Sequence, residues 1–207
     1  MEHIGAGYEN GEGLLYFGRT HIPGGFCMLI CGVCKDGKID RFLSEYVWRR
    51  LKYWALRHKV TGDSREELEG LMNQVQEELE VHGQIRKKQG DREEIQWTHL
   101  TLLVCTGDLA LVAARGQGRI MVCQKSMGRC VWEPLLLKKG NTLLVRLRPR
   151  IGVLLLENGE DFASCWQQAL DPEVCRNEIQ LKHSLEKLKQ NISGEFGSLA
   201  YMIYMGE

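Results

Sequence analysis

The sequence has no excess of charge of either sign: 27 Lys and Arg stand against 27 Asp and Glu over 207 residues. That balance carries no electrostatic footprint for nucleic acid or for an anionic membrane surface, so neither partner is expected. No apolar run approaches the roughly 18 residues of a membrane-crossing helix. The opening stretch MEHIGAGYENGEG has no basic segment and no apolar segment, so no export signal is expected. Without export, eight cysteines read as reduced thiols in a cytoplasmic protein. There is no internal repeat, no low-complexity tract and no His-Glu-x-x-His pattern. Gly5-Ala6-Gly7 and Gly116-Gln117-Gly118 are not followed by Gly-Lys-Ser/Thr, which excludes a nucleotide-phosphate loop. What is present is ordinary for a globular chain: 43% hydrophobic and 26% charged residues. The length suits a single domain over residues 1–207.

The stretch Trp97 to Gln124 organises the rest. Leu100, Leu102 and Val104, then Leu109, Leu111 and Ala113, then Ile120 and Val122 read as strands, nearly continuous in apolar character and so covered on both faces. Gly107-Asp108 is expected to be a hairpin turn and Gly116-Gln117-Gly118 a second. Upstream, residues 1–13 read as a loop, and Leu14–Arg19 and Phe26–Val33 as a strand pair about the turn at His21–Gly25. A helix is expected over Asp40–Lys59 with Asp40 as its cap and Phe42, Leu43, Val47, Leu51, Trp54 and Ala55 on the apolar face. Ser64-Arg65-Glu66-Glu67 has the form of a capping box before a second helix carrying Leu68, Leu71, Met72, Val75 and Leu79. His82–Glu94 reads as a polar linker. Short strands follow at Arg129–Trp132, Thr142–Leu147 and Gly152–Leu156. A short helix is expected at Phe162–Ala169, and a longer one opens at Asp171-Pro172 and carries Ile179, Leu181, Leu185, Leu188 and Ile192. Leu199–Met205 is a last strand. Strands and helices in separate blocks give an α+β class, with two antiparallel sheets and helix pairs outside them.

This order of elements resembles the metal-dependent type 2C serine/threonine phosphatases along the whole chain. Trp97-Thr98-His99 stands where that family has Gly-Thr-Thr, and Ala114-Arg115-Gly116-Gln117-Gly118-Arg119 where it has a Gly-Asp-Ser-Arg turn. The resemblance implies an αββα sandwich, a compact bacterial form, and a site for two divalent ions held by acids at strand ends. Four places would supply those acids. Glu12, in Glu9-Asn10-Gly11-Glu12-Gly13, takes the place of Asn-Glu-Asp. Asp36, in Val33-Cys34-Lys35-Asp36-Gly37, takes that of Val-x-Asp-Gly, although Lys35 beside it opposes a cation. Asn158 stands where Ser-Asp-Gly has its acid, with Glu157, Glu160 and Asp161 nearby. Gly197-Ser198 stands where an Asp-Asn pair is due, with Glu195 two residues away. Arg119 is the candidate phosphate-binding cation.

With about two of four acids kept, two divalent ions would repel each other with too little compensating charge. The resemblance therefore implies a degenerate, pseudophosphatase-like domain with no bound cofactor. It would act through a protein partner, a phosphoprotein or a kinase, in signalling. The alternative is an active Mn²⁺- or Mg²⁺-dependent serine/threonine phosphatase. Other signals are weaker. Cys31 and Cys34, with Cys27 upstream, have one half of a zinc-knuckle spacing and lack the second. His99 is a candidate general base. Arg146, Arg148 and Arg150 form a cationic cluster that could meet a phosphorylated partner. Trp48 and Trp166 are candidates for a protein contact.

Overall fold

The computed structural model describes residues 3–9, 15–35, 38–87, 95–116, 118–126, 129–135, 142–146, 152–157, 178–192 and 199–205. In chain order the elements are β1 (His3–Glu9), β2 (Tyr16–Ile22), β3 (Gly25–Lys35), β4 (Lys38–Ile39), α1 (Arg41–Arg57), α2 (Ser64–Lys87), β5 (Ile95–Thr106), β6 (Leu109–Gly116), β7 (Gly118–Ser126), β8 (Arg129–Pro134), β9 (Thr142–Arg146), β10 (Gly152–Glu157), α3 (Glu178–Ile192) and β11 (Leu199–Met205). The chain divides into two compact units, each built on one antiparallel sheet. The class is α+β, as the block order of the elements implies.

One unit holds a six-stranded sheet in the order β2-β3-β5-β6-β9, with β4 paired to β3, and both long helices α1 and α2. On one face Leu100, Leu102 and Val104 of β5 join Cys27, Leu29 and Cys31 of β3 in a cluster with Leu51 and Trp54 of α1 and Leu68, Met72 and Val75 of α2. The alternate residues Phe26, Met28, Ile30, Leu103 and Cys105 are buried as well. Strands buried on both faces explain why the sequence shows no in–out alternation there. Asp40 caps α1 as expected, its Oδ1 accepting from the backbone N–H groups of Phe42 and Leu43 at 2.8 and 3.0 Å. Gly107-Asp108 makes the β5–β6 turn, with Gly107 at φ 59°, a conformation that favours glycine.

The other unit holds a five-stranded sheet in the order β1-β11-β10-β7-β8 together with α3. Leu199–Met205 forms its strand as expected, paired on both sides, to β1 and to β10. The expected helix at Phe162–Ala169 and the Asp171-Pro172 opening lie outside the described residues.

Several expectations are corrected. Residues 3–9 are a strand, not a loop: glycines at 5 and 7 hide it in the sequence, and pairing to β11 supplies its hydrogen bonds. Gly116-Gln117-Gly118 is not a hairpin. Both edges of β6 are taken by β5 and β9, so β7 pairs with β10 and β8 in the other sheet, and Gly116 at φ 63° redirects the chain. Helix α2 begins at Ser64 and runs to Lys87, into the stretch His82–Glu94 expected to be a linker. Ser64 does not act as a capping-box residue, because its hydroxyl donates back to the Lys59 carbonyl and accepts from the Thr61 N–H. Phe42 and Ile179 are exposed instead of facing a core.

Trp48 is buried at 6% exposure and is not a surface contact. Its ring lies over Gly18 of β2, where an added Cβ would fall 2.3 Å from the ring. Gly18→Ala is therefore expected to destabilise the protein by about 1–3 kcal/mol through overpacking. Urea titration should show a lower midpoint at an unchanged slope. An unchanged midpoint would refute the close packing.

Candidate functional site

Within the five-stranded sheet the register brings four strand ends together. Glu9, the last residue of β1, is opposite Leu199, the first of β11. Ala200 is opposite Glu157, the last residue of β10, and Glu157 is opposite Gly118, the first of β7. Several places named from the sequence lie next to these strands along the chain. Glu12 follows β1, Asn158 follows β10, Glu195 and Gly197-Ser198 precede β11, and Gln117 precedes β7. Glu12, Asn158, Glu160, Asp161 and Glu195 themselves lie outside the described residues. Arg119 is the second residue of β7, opposite Leu156.

Asp36 belongs to the six-stranded unit. It too lies outside the described residues, with Gly37, in the two-residue connection between β3 and β4, where Lys35 is opposite Lys38. The frame on either side of it is well fixed. The backbone N–H of Asp40 donates to the Val33 carbonyl at 2.7 Å. The buried Ser44 of α1 donates to the Asp40 carbonyl at 2.8 Å and accepts from the Val33 N–H at 3.0 Å. These bonds tie the start of α1 to the end of β3 and close the segment that carries Asp36.

The Val33 N–H is available to Ser44 because the β3–β5 ladder is interrupted there. Gly32 is opposite His99, yet Val33 is opposite Trp97, so Thr98 is an extra residue on β5. Such a bulge bends the strand and re-aims side chains, and bulges are frequent beside active sites. It falls in the Trp97-Thr98-His99 segment singled out from the sequence. Sequence reading missed both the bulge and the Ser44 clamp, since neither a register shift nor a long-range hydroxyl contact leaves a local pattern.

The competing candidates separate clearly. Cys27 and Cys31 are fully buried and burial pushes their thiols up, so neither is a ready thiolate. Cys31 and Cys34 are three apart on one strand and so point to opposite faces, which rules out a shared ligand. Arg146 is exposed at the end of β9 and pairs with Asp108 at 3.4 Å, while Arg148, Arg150 and Trp166 lie outside the described residues. Arg115 reaches from β6 to Asn73 of α2 at 2.8 Å. Burial lowers its pKa, opposed by the charge of Glu69. Among the described residues no group of three or more His, Cys, Asp or Glu side chains could hold a metal ion, and no helix is long and apolar enough to cross a membrane.

His99 is buried on β5 between Gly32 and Gly116, and desolvation lowers its pKa below the usual 6.5. A neutral buried imidazole stabilises the fold fully above pH 6.5. That contribution is lost as pH falls below the unfolded value toward the lowered folded one, because the unfolded chain there binds the extra proton. His99→Gln is expected to flatten the decline of stability below pH 6.5, measured by urea midpoints at several pH values. A decline as steep as the parent's would assign it to other groups.

Comparison of the sequence finds no matching family model and no matching curated protein. Solved structures match across the whole chain. A mutant of a bacterial serine phosphatase superposes with a TM-score of 0.71 at 12% identity, over 100% of this chain and 99% of that one. The catalytic domain of the serine/threonine phosphatase PstP, in complex with two manganese ions, gives 0.67 at 10% identity, over 100% and 98%. PppA of Pseudomonas aeruginosa, a key regulatory component of T6SS, gives 0.56 at 13% identity, over 98% of both chains. The chain has the fold of the type 2C serine/threonine phosphatase catalytic domains.

Proposed function

We propose that this chain is a single, degenerate type 2C-like phosphatase domain that works by binding a protein in a cytoplasmic signalling pathway of a bacterium, not by hydrolysis. The observation that carries the reading is the residue set at the shared end of β1, β10, β11 and β7. The positions adjoining it are Glu12, an uncharged Asn158 and an acid-free Gly197-Ser198. An amide can offer a carbonyl oxygen to a metal but no charge. Two divalent ions in one site need several hard anionic ligands, and the one further acid that the resemblance offers, Asp36, has Lys35 and Lys38 beside it in the sequence. This donor set does not fit a two-ion centre. The domain would then serve as a shaped binding surface for a phosphoprotein or a kinase, with Arg119 as a cation for phosphate. The regulatory role of PppA, which shares the fold, supports the same direction.

A second reading has its own observation. Glu9 and Glu157 are fixed at that sheet end, and Glu160, Asp161 and Glu195 follow or precede its strands. If these carboxylates replace the missing ones, the domain is a Mn²⁺- or Mg²⁺-dependent phosphatase in which the metal supplies an activated water. The PstP structure with two manganese ions supports that ligand class.

Titration calorimetry with Mn²⁺, run on the parent and on Asp36→Asn with phosphate release from a phosphopeptide followed in the same samples, separates the two. The expected result is no stoichiometric Mn²⁺ binding and no turnover in either protein. Binding with turnover in the parent, both lost in Asp36→Asn, overturns the proposal and makes Asp36 a working ligand.

A further inference from the structure

Helices α1 and α2 lie side by side on the six-stranded sheet. The chain doubles back between them, and Glu78 of α2 accepts from both Tyr46 and Arg50 of α1. Their inward faces fill the core, and their outward faces do not resemble one another. Along α1 the outward line is Phe42, Arg49, Tyr53 and Leu56, at spacings of seven, four and three residues, which keep one helical face. Phe42 is 75% exposed, Tyr53 53% and Leu56 40%. Arg49 and Arg57 are exposed along this face, Arg49 pairing with Glu45, the one acid of the helix, and Arg57 stacking over the Tyr53 ring. Along α2 the outward line is Glu66, Asn73, Glu77 and Glu80, at the same three spacings, with exposed Val81 and Gly70 beside it. Glycine at 70 leaves open space above the backbone.

From this we infer that the α1–α2 layer is a docking surface for a second copy of the same chain, with α1 of each copy laid antiparallel on α2 of the other. A two-fold axis running between the two helices brings the lines together twice, as a closed dimer requires. In that register Phe42 meets the second copy's Val81, Tyr53 covers the gap above its Gly70, and Arg57 faces its Glu66. Arg49 falls between its Asn73 and Glu77. The cationic, aromatic helix and the acidic helix are thus complementary across the axis, and they lie next to each other within one chain, so one rotation satisfies both. Phe42, Tyr53, Leu56 and Val81 are four of the five exposed large hydrophobic residues among those described. Tyr and Arg at the centre fit the composition of interface anchors. Two helices each about 10 Å wide, matched over about 21 Å, give roughly 400 Å² per copy, which is small for a stable complex. The dimer is accordingly weak and forms in the micromolar range. This inference does not depend on whether the phosphatase site is degenerate.

Sedimentation velocity over a range of micromolar concentrations tests it. The parent is expected to shift from monomer to dimer with rising concentration, less so at high salt, where ion pairs are screened. Phe42→Glu and Arg57→Glu each should weaken dimerisation at least tenfold, and Arg57→Glu combined with Glu66→Arg should regain most of it. All these positions are exposed, and unchanged circular dichroism and urea midpoints would confirm that the variants fold. A parent that stays monomeric throughout overturns the inference, as does a dimer that survives Phe42→Glu or a double variant no better than Arg57→Glu. Binding of an acidic amphipathic peptide to a monomeric parent would assign the face to a different protein.

Discussion

Burial of β3 and β5 on both faces is the constraint on which the rest of the six-stranded unit depends. A strand with apolar residues at consecutive positions cannot leave either face in water without exposing large side chains. Leu100, Leu102 and Val104 therefore require α1 and α2 above them, and both helices present stripes that match. The same requirement keeps β6 between β5 and β9, which in turn sends β7 into the other sheet. A single glycine with positive φ, Gly116, makes that change of sheet possible.

Polar detail is confined to places where the apolar ladder is interrupted. The extra residue Thr98 frees the Val33 N–H, and Ser44 takes it up while also bonding to the Asp40 carbonyl. Each buried polar group so paired avoids a desolvation penalty of about 1–3 kcal/mol. The outcome is a fixed frame on either side of the connection that carries Asp36. In the five-stranded unit the register brings four strand ends together. The fold is that of the type 2C phosphatase catalytic domains, so the choice between binding and hydrolysis turns on a few carboxylates and not on the fold.

The sequence by itself determined the block order of elements, the Asp40 cap, the Gly107-Asp108 turn, the core stripe of α2 and the last strand. Each of these is a local signal: a period of apolar residues, a capping side chain, or a glycine where φ must be positive. The family resemblance named Glu12, Asn158 and Gly197-Ser198, which in the sequence follow β1, follow β10 and precede β11, three strands that the register pairs side by side. Tertiary structure alone decided the rest. It made a strand of the glycine-rich residues 3–9, because β11 offered an open edge, and it split β6 from β7, because both edges of β6 were already filled. It buried Trp48 over Gly18 and left Phe42 in solvent, since one side of a helix has room for only so many side chains against a sheet. It also set the bulge at Thr98 and the Ser44 clamp, which depend on partners distant along the chain and so have no local signature.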